Sequence, residues 1–146
     1  MIAFPAPNAP EKATGWLRPG SRQLNGWIID QLRLQPYQHV LEIGSGAGRL
    51  LEEAAGVLRI GFLAGVEPSA SLYQQAYRRN RRFIARQLMQ LHLGELADFP
   101  YPPHYFHTVY SHSASRHLLW HSHRNHRLYR LIIIKLPFMV FLTRWD

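Results

Sequence analysis

Glu42, Gly44, Gly46 and Gly48 stand two residues apart in the run Val40-Leu41-Glu42-Ile43-Gly44-Ser45-Gly46-Ala47-Gly48-Arg49. Closely spaced glycines let a chain bend tightly and let a ligand approach its backbone without meeting side chains. A helix opening at such a bend turns its unpaired N–H groups toward the same space. The dinucleotide pattern Gly-x-Gly-x-x-Gly needs a third glycine where Arg49 stands, so a diphosphate reader is excluded on spacing. An acid two residues before the first glycine also repels a diphosphate. It suits a cationic or zwitterionic ligand, such as one carrying an amino group and a sulfonium centre.

The flanking sequence supplies the elements that position this bend. Leu24, Trp27, Ile28 and Leu32 fall on one helical face, and Pro36 ends that helix. Residues 37–43 read as a buried strand entering the bend. Residues 49–58 read as a helix with Leu50, Leu51, Ala54, Val57 and Leu58 inward. Phe62 to Val66 is a second strand, and Ser69 caps a helix with apolar residues at 72, 73, 76, 77, 83 and 84. Residues 87–93 and 106–111 are a third and a fourth strand, and 132–142 contains a fifth. Strands alternating with helices give an α/β fold, an open, mostly parallel, Rossmann-like sheet with flanking helices. Residues 1–23 read as an N-terminal arm, 24–111 as the ligand-binding core, and 112–146 as a divergent C-terminal part of the same domain.

The glycine run resembles the first motif of the class I S-adenosylmethionine-dependent methyltransferases. Three further segments are similar to that family's pattern, in order and at its spacing. Gly65-Val66-Glu67-Pro68-Ser69 resembles the end of the second strand, where the family keeps an acid for the ribose hydroxyls. Gly94-Glu95-Leu96-Ala97-Asp98-Phe99-Pro100-Tyr101 is similar to a segment whose acid approaches the adenine amino group, with the longer Glu95 in place of the usual Asp. Tyr105-Phe106-His107-Thr108-Val109-Tyr110-Ser111 resembles the fourth-strand motif Phe-Asp-x-Val, with His107 in place of the acid. The resemblance covers residues 24–111. It implies S-adenosylmethionine as cofactor, a small-molecule methyl acceptor, and a cofactor-binding set of Glu42, Gly44, Ser45, Gly46, Gly48, Glu67, Pro68 and Glu95. Glu42 is expected near the amino-acid tail and the loop amides, the glycines along the ligand, Glu67 on the ribose and Glu95 near the adenine edge. Asp98 is expected on the surface. Methyl transfer from a sulfonium depends chiefly on aligning two reactants. No catalytic residue is therefore assigned, and His107 reads as structural or surface rather than as a base.

After Ser111 the likeness fades. No glycine follows Gly94 and the chain stops at Asp146, so the last two strands of the methyltransferase fold are expected to be lacking. The chain reads as a truncated member, either from a shifted frame or shortened gene or as a shortened natural relative. Phe138 to Leu142 is expected to form an apolar edge open to a partner or a second copy. Two rival readings follow. One is a non-catalytic remnant that retains the cofactor; the other is an RNA-directed enzyme or RNA-binding module.

Composition narrows the classes. The chain has 146 residues, 47% hydrophobic and 18% charged, which suits one domain with a core. Without cysteine there is no disulfide, thiolate-bound metal or cysteine nucleophile. The net charge of +8 splits as eleven basic against eight acidic residues over 1–98 and six against one over 99–146. Five arginines between Glu67 and Glu95, with no acid among them, read as a solvated helix face or, under the RNA reading, as a phosphate grip. Seven histidines lie between His104 and His126, but Asp146 is the only acid after Asp98, so no metal site is expected. The opening segment has no secretory pattern, and Leu131 to Leu142 is broken by Lys135 and Pro137, short of the ~20 residues of a membrane helix. A cytoplasmic protein without a membrane partner is expected.

Overall fold

A computed structural model describes residues 22–95, 100–102 and 104–111, together with the backbone of 132–134 and 140–144. The elements in chain order are α1 (Arg22–Leu32), β1 (His39–Ile43), α2 (Arg49–Val57), β2 (Phe62–Glu67), α3 (Ala70–Ala85), β3 (Met89–Leu93), β4 (Thr108–Ser111), β5 (Ile132–Ile134) and β6 (Val140–Arg144). They form one sheet in the order β3-β2-β1-β4-β6-β5. The first four strands run parallel, with Leu41 opposite Ala64 and Val109, and Gly65 opposite Leu91.

The open, mostly parallel sheet expected from the sequence is present, and its far end differs from expectation in one respect. β6 returns antiparallel to β4, Tyr110 facing Leu142, and β5 then pairs with β6. The chain through Val140–Phe141–Leu142 is thus an inner strand rather than the open edge. The described edge is the three-residue β5, and a short edge strand offers little template for pairing. An antiparallel return needs no long crossover, which is why one apolar stretch yields two strands.

Helices α1 to α3 cover one face of the sheet. Leu24, Ile28 and Leu32 of α1 and Leu50, Leu51 and Ala54 of α2 are buried with Val40, Leu63 and Tyr110. Gly65 lets the helices pack close to the sheet, since a Cβ on it would stand 2.8 Å from Leu51 Cδ1 and 3.0 Å from Leu91 Cδ2 and those side chains would have to shift. In α3 the inward face carries Tyr73, Ala76, Asn80, Phe83 and Ile84, while Leu72 and Tyr77 are 36% and 45% exposed. The apolar period alone places those two inward. Asn80, a polar residue, takes the buried position that the period does not reveal.

On the opposite face, Leu41, Ala64, Phe106 and Val109 form a second cluster, with Phe62, Tyr101 and Tyr105 packed on it. The Tyr101 hydroxyl donates to Gln90 Oε1 at 2.6 Å. His107 is structural. Its N–H donates to the His39 carbonyl at 2.8 Å, and its Nδ1 accepts from the His39 N–H at 2.9 Å. These two bonds extend the β1–β4 pairing by one residue with an imidazole in place of a peptide. His107→Ala is expected to cost about 1–2 kcal/mol in urea denaturation, the loss of one hydrogen bond at a half-buried donor, and to leave ligand affinity unchanged.

Candidate functional site

The glycine bend crosses the carboxyl ends of β1 and β2, where open α/β sheets hold ligands. Its path is fixed by backbone bonds, since the N–H groups of Gly44 and Ser45 both donate to the Val66 carbonyl, at 2.9 and 3.1 Å. Gly44, Gly46 and Gly48 all have positive φ, at 71°, 54° and 73°, a region costly for residues with a Cβ. The three differ in what surrounds them. A Cβ on Gly46 would meet nothing within 4 Å, whereas one on Gly48 would stand 2.6 Å from Asn80 Nδ2 and 2.8 Å from Ala76 Cβ. Gly46 borders open space, and Gly48 is where α3 packs against the bend.

Glu67 closes the other side. Its Oε2 accepts the Gly46 N–H at 2.7 Å and its Oε1 accepts the Ser69 N–H at 2.9 Å. The carboxylate is buried, and these charge-assisted bonds hold it at the tip of β2. Each carboxylate oxygen keeps a lone pair for a second donor beyond the amide it already accepts. Ser69 also caps α3, its Oγ accepting the Leu72 N–H at 3.5 Å. Pro68 is exposed between the two.

Glu42 lies deeper. It is fully buried, and Oε2 accepts the Tyr110 hydroxyl at 3.3 Å. Glu67, 21 positions from Gly46, is a carboxylate that holds an amide of the bend. Glu95 is exposed just past β3, where Gly94 N–H donates to the Glu67 carbonyl at 3.1 Å. The structure thus gathers Gly44, Ser45, Gly46, Glu67 and Pro68 at one pair of strand tips, with Glu95 following the neighbouring strand. Asp98 lies outside the described residues.

Tyr110 was not evident from the motif. Burial, then the Glu42 carboxylate that it bonds, holds its hydroxyl well above the usual phenol range. Burial and neighbouring Tyr105 push Tyr101 up to about 12. An unfolded chain releases these protons near pH 10, while the folded chain keeps them. The stability they give is therefore full below pH 10 and is lost as pH rises toward their folded values. Tyr110→Phe is expected to remove about 1.4 kcal/mol per pH unit from the alkaline slope of stability, measured by urea denaturation from pH 8 to 11. With no cysteine in the chain, no thiol titrates in that window. An unchanged slope in the variant would contradict the burial of this hydroxyl.

Residues on α3 that the sequence assigns to solvent or RNA phosphates reach the site from outside. Arg79 Nε donates to the Ala47 carbonyl at 3.0 Å and pairs with Glu52 at 3.5 Å. Arg82 pairs with Glu52 at 3.5 Å and lies over the Phe83 ring. All five arginines are exposed, and two of them, Arg79 and Arg82, are bonded to other parts of the fold. Among the described residues no group of three or more His, Asp or Glu side chains gathers as metal ligands, and His112, His117, His121, His123 and His126 lie outside them. No described helix is long and apolar enough to cross a membrane.

A family profile described as a methyltransferase domain matches residues 40–132. No curated protein sequence matches the chain. Among solved structures it is similar to a precorrin-6y C5,15-methyltransferase from Geobacter metallireducens, with 14% identity and a TM-score of 0.56 over 92% of each chain. It is similar to a tRNA methyltransferase from Aquifex aeolicus, with 14% identity and a TM-score of 0.55 over 84% of this chain and 68% of that one. A geranyl diphosphate C-methyltransferase from Streptomyces coelicolor, solved with S-adenosyl-L-homocysteine, gives 17% identity and a TM-score of 0.55 over 63% of this chain. The chain spans about a third of that enzyme's length, 34%.

Proposed function

Because the chain belongs to the methyltransferase-domain family, we propose that it binds S-adenosylmethionine at the glycine bend and transfers its methyl group to a small-molecule acceptor. The observation that carries the cofactor reading is the pairing of Gly46 with Glu67. One is a positive-φ glycine bordering open space, and the other is a buried carboxylate 2.7 Å from its amide. Glycine at the bend leaves room for an amino-acid tail. Glu67 accepts hydrogen bonds from the ribose hydroxyls. Leu93, opposite Glu67 in the sheet and 54% exposed, offers an apolar surface to the adenine, with Glu95 beyond it. Glu42 supplies negative charge beneath the bend, which favours a cationic ligand over a diphosphate.

Bound S-adenosylmethionine supplies an activated methyl group on a sulfonium that already leaves readily. The residues named here bind and orient the ligand, and alignment of the two reactants accounts for the rate. The structural relatives act on small molecules and on tRNA by their descriptions. The small-molecule acceptor is preferred here because Glu52 already engages two arginines of the basic helix. Calorimetric titration with S-adenosylhomocysteine tests the cofactor reading, with NADH as the diphosphate control. Heat with the first and none with the second is expected; the reverse would reject it.

A further inference from the structure

We infer that Arg79 and Asn80 are positioning residues for cofactor binding, clasping the glycine bend from α3 through the carbonyls of Ala47 and Gly48; this rests on the cofactor reading above. Asn80 Nδ2 donates to the Gly48 carbonyl and to the Ala76 carbonyl, each at 3.0 Å. Arg79 Nε donates to the preceding carbonyl, that of Ala47, also at 3.0 Å. The approach is possible because Gly48 has no side chain. Its absent Cβ is the space that Ala76 and Asn80 occupy.

The clasp governs where the bend aims its donors. A trans peptide points its N–H away from its C=O. Holding the Gly48 carbonyl against α3 therefore turns the Arg49 N–H, a first-turn amide of α2, away from α3. Helices leave such amides without an intrahelical partner, and they are where a ligand carboxylate is received. Glu67 fixes the Gly46 amide on the inner side of the same bend. The loop is thus tied from two directions, by a carboxylate on its N–H and by α3 on its carbonyls.

Stability alone does not account for an asparagine here. Asn80 is fully buried, and its Oδ1 has no hydrogen-bond partner among the described residues. That orphan oxygen carries a desolvation cost which a leucine of similar volume would avoid. The Gly48 carbonyl has a second donor in the Glu52 N–H at 3.2 Å, so the asparagine is not needed merely to satisfy it. Arg79 and Arg82 provide an internal comparison. Both pair with Glu52 at 3.5 Å, and only Arg79 is bonded to the bend.

The test compares Arg79→Met, Asn80→Leu and Arg82→Met with the unaltered chain. Affinity for S-adenosylhomocysteine is read by calorimetry, and amide hydrogen exchange at residues 46–50 is read without ligand. Arg79→Met and Asn80→Leu are expected to weaken binding about tenfold, the scale of one hydrogen bond, charge-assisted for Arg79 and neutral but buried for Asn80, and to speed exchange at the bend. Arg82→Met is expected to change neither readout by more than about twofold, because it removes only an exposed ion pair to Glu52 and no bond to the bend. Arg79 is exposed, so Arg79→Met carries the test even where Asn80→Leu fails to fold. Equal effects of Arg79→Met and Arg82→Met would assign both arginines to Glu52 and overturn the positioning role alone. No heat from the unaltered chain would instead overturn the cofactor reading, and the positioning role with it.

Discussion

Gly48→Ala is expected to lose a large share of the protein's folding free energy, about 2–5 kcal/mol from a single methyl group. Two costs add at this residue. Its φ of 73° lies in the left-handed region, which charges a Cβ-bearing residue about 1–2 kcal/mol. The new methyl would also stand 2.8 Å from Ala76 Cβ and 2.9 Å from Ala76 Cα. The second contact is with helix backbone, so relief requires α3 to move away from the bend. Overpacking of that kind costs about 1–3 kcal/mol, in a domain whose total is about 5–15 kcal/mol. Thermal and urea denaturation read the result. A variant within about 1 kcal/mol of the unaltered chain would show that α3 does not press on the bend.

Gly46→Val is expected to give the opposite outcome, a folded protein that no longer binds. At φ 54° the backbone penalty remains, but nothing lies within 4 Å of the added Cβ. The fold therefore bears the strain without a clash and keeps most of its stability. The valine methyl groups instead project into the open space above the bend, where the ligand's tail is to lie. Loss of S-adenosylhomocysteine affinity by at least about a hundredfold is expected, equivalent to about 2.7 kcal/mol. Calorimetry on a variant whose circular dichroism is unchanged reads this result. Undiminished affinity in a folded Gly46→Val protein would place the ligand elsewhere.

The contrast between these two glycines marks how far the sequence could be read. Their shared spacing in Glu42-x-Gly44-x-Gly46-x-Gly48 locates the bend at a strand-to-helix junction, and β1 and α2 flank it as expected. The spacing does not reveal which glycine faces a ligand and which faces a helix, because Gly48 meets residues 28 and 32 positions away. Glu67 was legible as a strand-tip acid through its place after Gly65-Val66. Its bond to Gly46 crosses 21 residues and was not. Asn80 carries one local signal, a lone uncharged polar residue within Arg78-Arg79-Asn80-Arg81-Arg82, four residues after a buried alanine. The helical period was legible in α2, where apolar residues alone are buried, and in α1, where Asn25 is the one polar residue buried beside Leu24, Ile28 and Leu32. It was misleading in α3, where Tyr77 is exposed and an asparagine is buried. Strand direction at the far end was hidden for a similar reason. A run of apolar residues fixes neither parallel nor antiparallel pairing with β4.

The most direct measurement is a crystal structure of the chain grown with S-adenosylhomocysteine. The expected result is a ribose diol within about 3 Å of the Glu67 carboxylate, with the amino-acid tail passing over Gly46. A ligand bound away from the tip of β2, or Glu67 facing no ligand atom while the nucleoside is ordered, would contradict it.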